Sequence, residues 1–378
     1  MKRVALIEPV GGHGGMDYYD FGLIINLVKN GCYVKLYTSD NDLSFDGAAG
    51  VDVEKCFIGV YGKSNKLLRL VRFFRGLFRA CVDASNNKLK NAHFQFFGVS
   101  GLELATVIFS RFFFSNIVVT IHDVESFANK QSLLLDKVFY RIVDKVVVHN
   151  RVCRNEILER VPEVLNRLSV IPHGNYLDSD FSSIPRELAV AELGGDPSKK
   201  MVLFFGQIKK VKGLDVLIHA VSHLKSRRDD FSIVVAGKVW KDDFSIYQDL
   251  IDKLDVSDFF KLDIRYIPDE ELAVFYSAAY CIVLPYKKIY QSGVLLMAMS
   301  FGVPVIVSSL PGMLEVVDDG KNGFVFESGN ALSLADKIDY ALSNTAVVDE
   351  VKGSALNLMR LNYSWEVVAK DTAVLYVS

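Results

Sequence analysis

Residues 280–308 constrain the fold more than any other stretch. An apolar run at 280–285 is followed by a polar loop ending in Gln291-Ser292-Gly293, an apolar segment closing at Gly302, and a second apolar run at 304–308. That grammar is strand, loop, helix, strand, the repeating unit of an open α/β sheet. In such sheets ligands bind beyond the carboxyl ends of the strands. A helix entered through Ser292 and Gly293 turns unpaired backbone N–H groups toward that crevice. An anion, most simply a phosphate, is expected there; the alternative is an ordinary βαβ unit that holds no ligand.

The same grammar opens the chain. Residues 3–10 read as a strand, Gly11-Gly12-His13-Gly14-Gly15 as a loop, 17–29 as an amphipathic helix and 33–37 as a second strand. Four glycines around His13 let backbone approach a ligand closely. The spacing is not the dinucleotide fingerprint, and Ser39-Asp40-Asn41-Asp42 is a poor match for its acidic ribose anchor. Further on, a β-branched run at 117–121 delivers His122-Asp123 to a strand end, and the strand at 168–172 ends in His173-Gly174. A neutral imidazole so placed can hydrogen-bond a substrate hydroxyl. His93, beginning a strand-like segment at 93–97, reads as structural.

The polar stretch 175–200 marks a domain boundary, and the plan then restarts. A strand at 201–205 leads into a turn at 206–213 that carries Lys209, Lys210 and Lys212 before an amphipathic helix at 214–227. Three lysines at a helix N-terminus suit a pyrophosphate; a solvated turn is the alternative. Strands at 231–236, 261–267 and 323–326, the turn Gly237-Lys238, and helices at 330–342 and 364–376 complete the second half. The expected architecture is α/β: two Rossmann-like, doubly wound domains, 1–178 and 179–361, facing across a cleft. Residues 362–378 form a helix that packs back on the first domain.

Composition narrows the function classes. The chain has 378 residues and a mean hydropathy of +0.22, yet no apolar run reaches the roughly 18 residues of a spanning helix. The segment 104–121 comes nearest and is broken by Arg111 and Ser115-Asn116. The N-terminus lacks the features of a signal peptide, so an intracellular, cytoplasmic protein is expected. Five scattered cysteines without a C-x-x-C pair argue against disulfide or zinc roles, and a net charge of −2 argues against a general nucleic-acid binder. The D-x-D spacings at Asp40 to Asp42 and Asp178 to Asp180 read as turns or caps, and no bound metal is expected. Residues 65–90 are unusual: Lys66, Arg69, Arg72, Arg75 and Arg79 recur at helical spacing among leucines and phenylalanines. A helix built so can lie on an anionic membrane surface, or it can pack in a core with a solvated basic edge.

Several of these stretches, in order, resemble the family 4 glycosyltransferases of the GT-B fold. Gly11 to Gly15 is similar to the family's N-terminal glycine loop, and Thr120-Ile121-His122-Asp123 to the strand end whose histidine faces the donor sugar. Ile171-Pro172-His173-Gly174 resembles the I-P-x-G turn. Phe205 to Gly213 resembles the G-R-L-x-x-x-K-G segment that binds the donor diphosphate. Gly302-Val303-Pro304-Val305-Ile306 and residues 311–317 are similar to the G-x-P-V-I and G-x-x-E-V-I motifs. The family's E-x7-E pair falls on Ile289 and Met297, and its diphosphate arginine on Gln207. Gln291-Ser292-Gly293-Val294 instead resembles a Q-S-G-V sub-group of bacterial polysaccharide biosynthesis.

The resemblance implies a retaining, metal-independent glycosyltransferase, a hexosyltransferase, that needs no cofactor. Its donor would be a UDP- or GDP-linked sugar, and its acceptor a lipid-linked saccharide in exopolysaccharide, capsule or O-antigen assembly. It assigns His122, Lys212 and Lys209 to catalysis and His13 and Asp123 to the acceptor. Gly14, Gly15, His173, Gln207, Lys238, Tyr266, Gln291, Ser292, Gly293, Val294 and Glu315 go to the donor. Residues 65–90 would then contact the inner membrane from its cytoplasmic side. The competing expectations are a GT-B-like sugar-nucleotide epimerase and a degenerate nucleotide-binding partner subunit.

Overall fold

A computed structural model describes residues 1–11, 16–40, 50–60, 65–122, 132–178, 184–241 and 243–378. The chain divides into two units, Met1–Gly174 with Tyr363–Ser378, and Asn175–Asn362. Each is built on one parallel sheet.

In the first unit the strands are β1 (Arg3–Glu8), β2 (Tyr33–Ser39), β3 (Asp52–Phe57), β4 (Asn91–Phe96), β5 (Asn116–Ile121), β6 (Lys145–Val148) and β7 (Leu168–Val170). They pair in the order β3-β2-β1-β4-β5-β6-β7. Val4 to Ile7, Ile117 to Val119 and Val146 to Val148 are buried, as the uninterrupted apolar runs of a sheet covered on both faces require. β3 has no counterpart among the expected strands, because Asp-Val-Glu-Lys-Cys-Phe carries the weak alternation of a half-buried edge.

The second unit places β8 (Lys200–Phe205), β9 (Phe231–Ala236), β10 (Phe260–Asp263), β11 (Cys281–Leu284), β12 (Val305–Ser308) and β13 (Phe324–Phe326) in the order β10-β9-β8-β11-β12-β13. β10 stops at Asp263, short of the expected 267. Arg265 there turns back to pair with Asp263 at 2.8 Å and with Glu271. The helix Thr345–Asn362 was also not expected; Val348, Val351, Ala355 and Met359 supply its buried face. Both strand orders reverse direction at one point, between β1 and β4 and between β8 and β11, which is where open α/β sheets bind ligands.

The last helix, Trp365–Val374, belongs to the first unit and packs on the helix Met16–Lys29. The tail after it is tied to the amino ends of β4 and β5. Asn91 Nδ2 donates to Val377 O at 2.9 Å, and Asn116 Nδ2 donates to Leu375 O at 3.0 Å. Among the described residues no helix is long and apolar enough to cross a membrane.

Candidate functional site

In the second unit the turn after β8 and the loop after β11 leave the sheet side by side at its reversal point. Gly213 sits at φ +71°, and a Cβ there would stand 1.9 Å from the Pro285 carbonyl oxygen, so the lysine turn meets the β11 loop backbone to backbone. Lys287 N donates to Val211 O at 2.8 Å, and Lys287 Nζ pairs with Asp215 at 2.6 Å, closing the clasp from the other side. The turn after β9 joins them: Gly237, at φ +147°, lies so close to Gly206 that a Cβ would be 1.9 Å from its carbonyl oxygen. Val294 Cγ2 comes within 3.3 Å of the Cβ position of Gly206. Gly206, Lys209, Lys212, Gly237, Gly293 and Val294 are thereby held around one strand-end position.

Two lysines are seated on aromatic rings. Lys212 Nζ stands 3.7 Å above the centroid of Tyr286, a ring only 1% exposed, and Lys209 Nζ is 5.5 Å from that of Trp240. A cation over a π-face is attracted by the ring quadrupole and is held in position. Opposite them Ser292 is the N-cap of the helix Gly293–Ser300, its Oγ accepting from Leu295 N at 3.2 Å. The N–H groups of Gly293 and Val294 in that first turn have no acceptor inside the helix and carry the positive end of its dipole. The lysines and the helix end are the groups here that could hold a dianion.

The remaining donor candidates are spread more widely. Gln207 and Lys238 are exposed on the same turns, where Lys238 O accepts from Ile208 N at 3.0 Å. Glu315 is the exposed C-cap of the short helix Pro311–Leu314. That helix abuts the β11 loop, for a Cβ at Gly312 would be 2.5 Å from Tyr290 O and 3.1 Å from Ile289 O. Tyr266 is 68% exposed beyond β10, at the sheet edge away from the reversal point. Gln291, Ile289 and Met297 are all half-buried along the loop and helix.

In the first unit three imidazoles converge at the carboxyl ends of β5, β6 and β7. His149 Nδ1 lies 3.0 Å from Ile171 O, which can only accept, so that nitrogen carries the proton. His149 Nε2 is then the acceptor for His122 Nδ1 at 3.1 Å. His122 Nε2 becomes an acceptor in turn, facing the Gln95 amide at 2.8 Å. The buried Gln95 Nε2 lacks a partner as placed, so turning the amide over satisfies both groups. The result is a one-way relay, Gln95 to His122 to His149 to Ile171 O, that occupies both nitrogens of His122. His173 donates from Nδ1 to Gly174 O at 2.7 Å. His93, between Tyr376 and Thr120 at 2.6 and 2.8 Å, is a buried structural link.

Burial holds these rings neutral. It depresses His93 and His149 to about 3 and His173 to about 4, and it lowers His122 well below the ordinary value, with the neighbouring imidazoles adding to the effect. A folded pKa below the unfolded one gives stability that is fully present above about pH 6.5 and lost as pH falls toward 3. Each such ring contributes a slope of up to about 1.4 kcal/mol per pH unit in that window. Thermal unfolding followed from about pH 7.5 down to about pH 4.5 is expected to show a steadily falling Tm, less steep in His149→Asn.

Residues 186–354 match the family described as glycosyl transferases group 1. An uncharacterized glycosyltransferase of Methanocaldococcus jannaschii is 29% identical over 186 residues, 49% of this chain and 46% of that protein. The chain thus spans about half the length of that relative. The D-inositol 3-phosphate glycosyltransferase of Pseudarthrobacter chlorophenolicus is 23% identical over 411 residues, 100% of this chain and 95% of that protein. Among solved structures, Anabaena HepE in complex with UDP superposes with a TM-score of 0.75 at 15% identity, covering 99% of both chains. That likeness shows the two-domain GT-B fold for this chain.

The structure gathers the two lysines, Ser292, Gly293 and Val294 at one strand-end site and His122 and His173 in the other unit. His13, Gly14, Gly15 and Asp123 lie outside the described residues, as do Asp42 and Asp180 of the D-x-D spacings. Sequence reading passed over His149, Gln95, Tyr19 and Trp365. Tyr19 meets His122 edge-on at 4.6 Å, and Trp365 closes on Tyr19 at 5.2 Å and on His173 at 5.7 Å. A strand end at His149, matching those at His122 and His173, was the one available signal.

The helix Lys66–Asn86 packs one face into the core, as the second of the two expectations for the basic-aromatic stretch has it. Phe73, Gly76, Leu77, Ala80, Cys81 and Ala84 face the core, where a Cβ at Gly76 would lie 2.7 Å from the Phe57 ring. Leu67, Leu70, Val71 and Phe78 are exposed, as are Lys66 and Arg75. Arg69 Nε donates to Val60 O at 2.7 Å and Arg72 Nη1 to Gly59 O at 3.0 Å, so these two cations brace the preceding turn.

Proposed function

We propose that the protein is a retaining hexosyltransferase of the Q-S-G-V sub-group of family 4. It would move a sugar from a UDP- or GDP-linked donor to a lipid-linked saccharide in bacterial exopolysaccharide, capsule or O-antigen assembly. The observation that carries the reading is the cationic site at the reversal point of the second sheet, where Lys212, Lys209 and the Gly293 helix N-terminus converge. As the sugar–phosphate bond breaks, the diphosphate gains negative charge, and fixed cations and N–H dipoles stabilise that charge more than the ground state. The chemistry of this donor set needs no metal bridge to the phosphates. Retention follows if the acceptor hydroxyl attacks from the leaving-group face and a phosphate oxygen takes its proton.

Ile289 and Met297 cannot hydrogen-bond sugar hydroxyls, so sugar recognition falls to Gln291 and loop backbone, with Gln207, Lys238, Tyr266 and Glu315 completing the donor contacts. His122 serves catalysis by exchanging its Gln95 contact for a substrate hydroxyl, and His173, Gly14 and Gly15 serve the donor. His13 and Asp123 serve the acceptor. UDP in the HepE complex supports a nucleotide diphosphate donor. Incubation with a panel of labelled UDP- and GDP-sugars and an extract of lipid-linked saccharides tests the reading directly. Label in the lipid fraction is expected; epimerised nucleotide sugar formed without acceptor would replace the transferase reading.

The exposed apolar residues Leu67, Leu70, Val71 and Phe78 beside Lys66 and Arg75 support a peripheral seat on an anionic membrane. Lys66→Glu with Arg75→Glu, which spares the bracing arginines, is expected to lower binding to anionic liposomes at least about tenfold in a flotation assay. Unchanged binding would return this helix face to solvent.

A further inference from the structure

The imidazole relay of the first unit is held by backbone on both sides. Gln95 pairs with Thr120 in the sheet and Ile121 pairs with Val148, so His122 and His149, each the next residue of its chain segment, leave β5 and β6 abreast. His122 N donates to Phe96 O at 2.8 Å, and Ile171 N donates to Val148 O at 2.9 Å. His149 is 6% exposed, and the buried Tyr19 meets its ring and that of His122 edge-on at 5.5 and 4.6 Å. His122 is the more exposed of the two imidazoles, and so the one a ligand can reach.

One end of this relay has a fixed polarity and the other does not. Ile171 O is a carbonyl and accepts in every state, whereas the Gln95 amide can present either its oxygen or its NH2. The carbonyl therefore decides where the protons sit: on His149 Nδ1, then on His122 Nδ1, which leaves His122 Nε2 bare. Burial lowers His149 to about 3, so no second proton reverses the order at neutral pH. Free neutral histidine favours the opposite tautomer, with its proton on Nε2. His122 is thus kept in its less favoured form, and its open nitrogen can only accept. A group that displaces Gln95 there must donate a hydrogen bond. A hydroxyl does so; a carboxylate or phosphate oxygen does not.

The geometry points to His149 as a positioning residue for transfer: without touching substrate, it fixes His122 as an acceptor at Nε2 and so selects a substrate hydroxyl as the group that faces it. This rests on the catalytic reading of His122 and deepens it.

A long-range proton–nitrogen correlation spectrum of the full chain, with isotope-labelled histidine at neutral pH, reads the tautomer directly. The His122 signals are assigned by their loss in His122→Gln. The expected spectrum has a protonated Nδ1 and a bare Nε2 on His122. Gln95→Leu should leave that tautomer in place, whereas His149→Leu should return His122 to the Nε2–H form. In the labelled-donor transfer assay His149→Leu is expected to lower kcat at least about tenfold with KM within about twofold of the wild type, as a ring held in the wrong tautomer does. If His149→Leu does not fold, the wild-type and Gln95→Leu spectra still decide. A protonated Nε2 in the wild type, loss of the tautomer in Gln95→Leu, or its persistence in His149→Leu would overturn the proposal and leave the catalytic reading of His122 standing. Full kcat in a folded His149→Leu whose tautomer has switched would do the same. Near-normal transfer by His122→Ala would instead remove that reading, and the proposal with it.

Discussion

Lys212→Ala is expected to lower sugar transfer at least about a hundredfold while leaving the fold in place, because its cation acts on charge that grows only as the donor bond breaks. Lys212 is half-buried on a turn, and its ammonium rests 3.7 Å over the Tyr286 ring, so alanine removes a cation–π contact worth about 0.5–1 kcal/mol in stability. That loss is too small to unfold the second unit. The division between kcat and KM carries the argument. A fall in kcat with KM nearly unchanged places the lysine on the leaving diphosphate in the transition state, whereas a rise in KM alone makes it a binding contact. Lys209→Ala should fall in the same direction by less, since its ammonium is held more loosely, 5.5 Å from the Trp240 ring against 3.7 Å for Lys212 over Tyr286.

Trp365→Ala is expected to destabilise the first unit by about 3–5 kcal/mol, the range for deleting a large buried aromatic ring. The indole is 2% exposed and touches both ends of its own unit. A Cβ at either Gly22 or Gly174 would come within 2.2 Å of Trp365 Cε2, so both glycines are small because this ring lies on them. Tyr19 and His173 meet it at 5.2 and 5.7 Å, and His173 in turn meets His149 at 5.7 Å. Denaturant unfolding should register the loss while nucleotide binding to the second unit persists. Gly174→Ala should also destabilise, and less so in the Trp365→Ala background, where the ring it strikes is gone.

How much of this was legible in the sequence depends on the range of the interaction. Apolar runs punctuated by glycine announced the two doubly wound sheets, because a strand buried on both faces writes its pattern locally. The lysines at 209–212 and the Ser292-Gly293 helix start were readable for the same reason, each sitting within a few residues of a strand end. The imidazole relay was not. Gln95, His122 and His149 are separated by 27 residues at each step, and only the parallel order β4-β5-β6 brings them abreast. Trp365 is farther still, and nothing in its own neighbourhood says which unit it serves. Arg69 and Arg72 misled for a different reason: a cation on a helix edge looks the same whether it meets solvent, a phosphate or the Gly59 and Val60 carbonyls.

The central claim is that a nucleotide diphosphate lies on Lys212, Lys209 and the N-terminus of the helix Gly293–Ser300, where Ser292, Gly293 and Val294 stand in place of a carboxylate pair. Amide hydrogen exchange with and without UDP- or GDP-sugar tests it most directly. The account predicts protection concentrated in residues 206–213 and 292–296, and its loss in Lys212→Ala. Protection that bypasses both segments while the donor binds would contradict it.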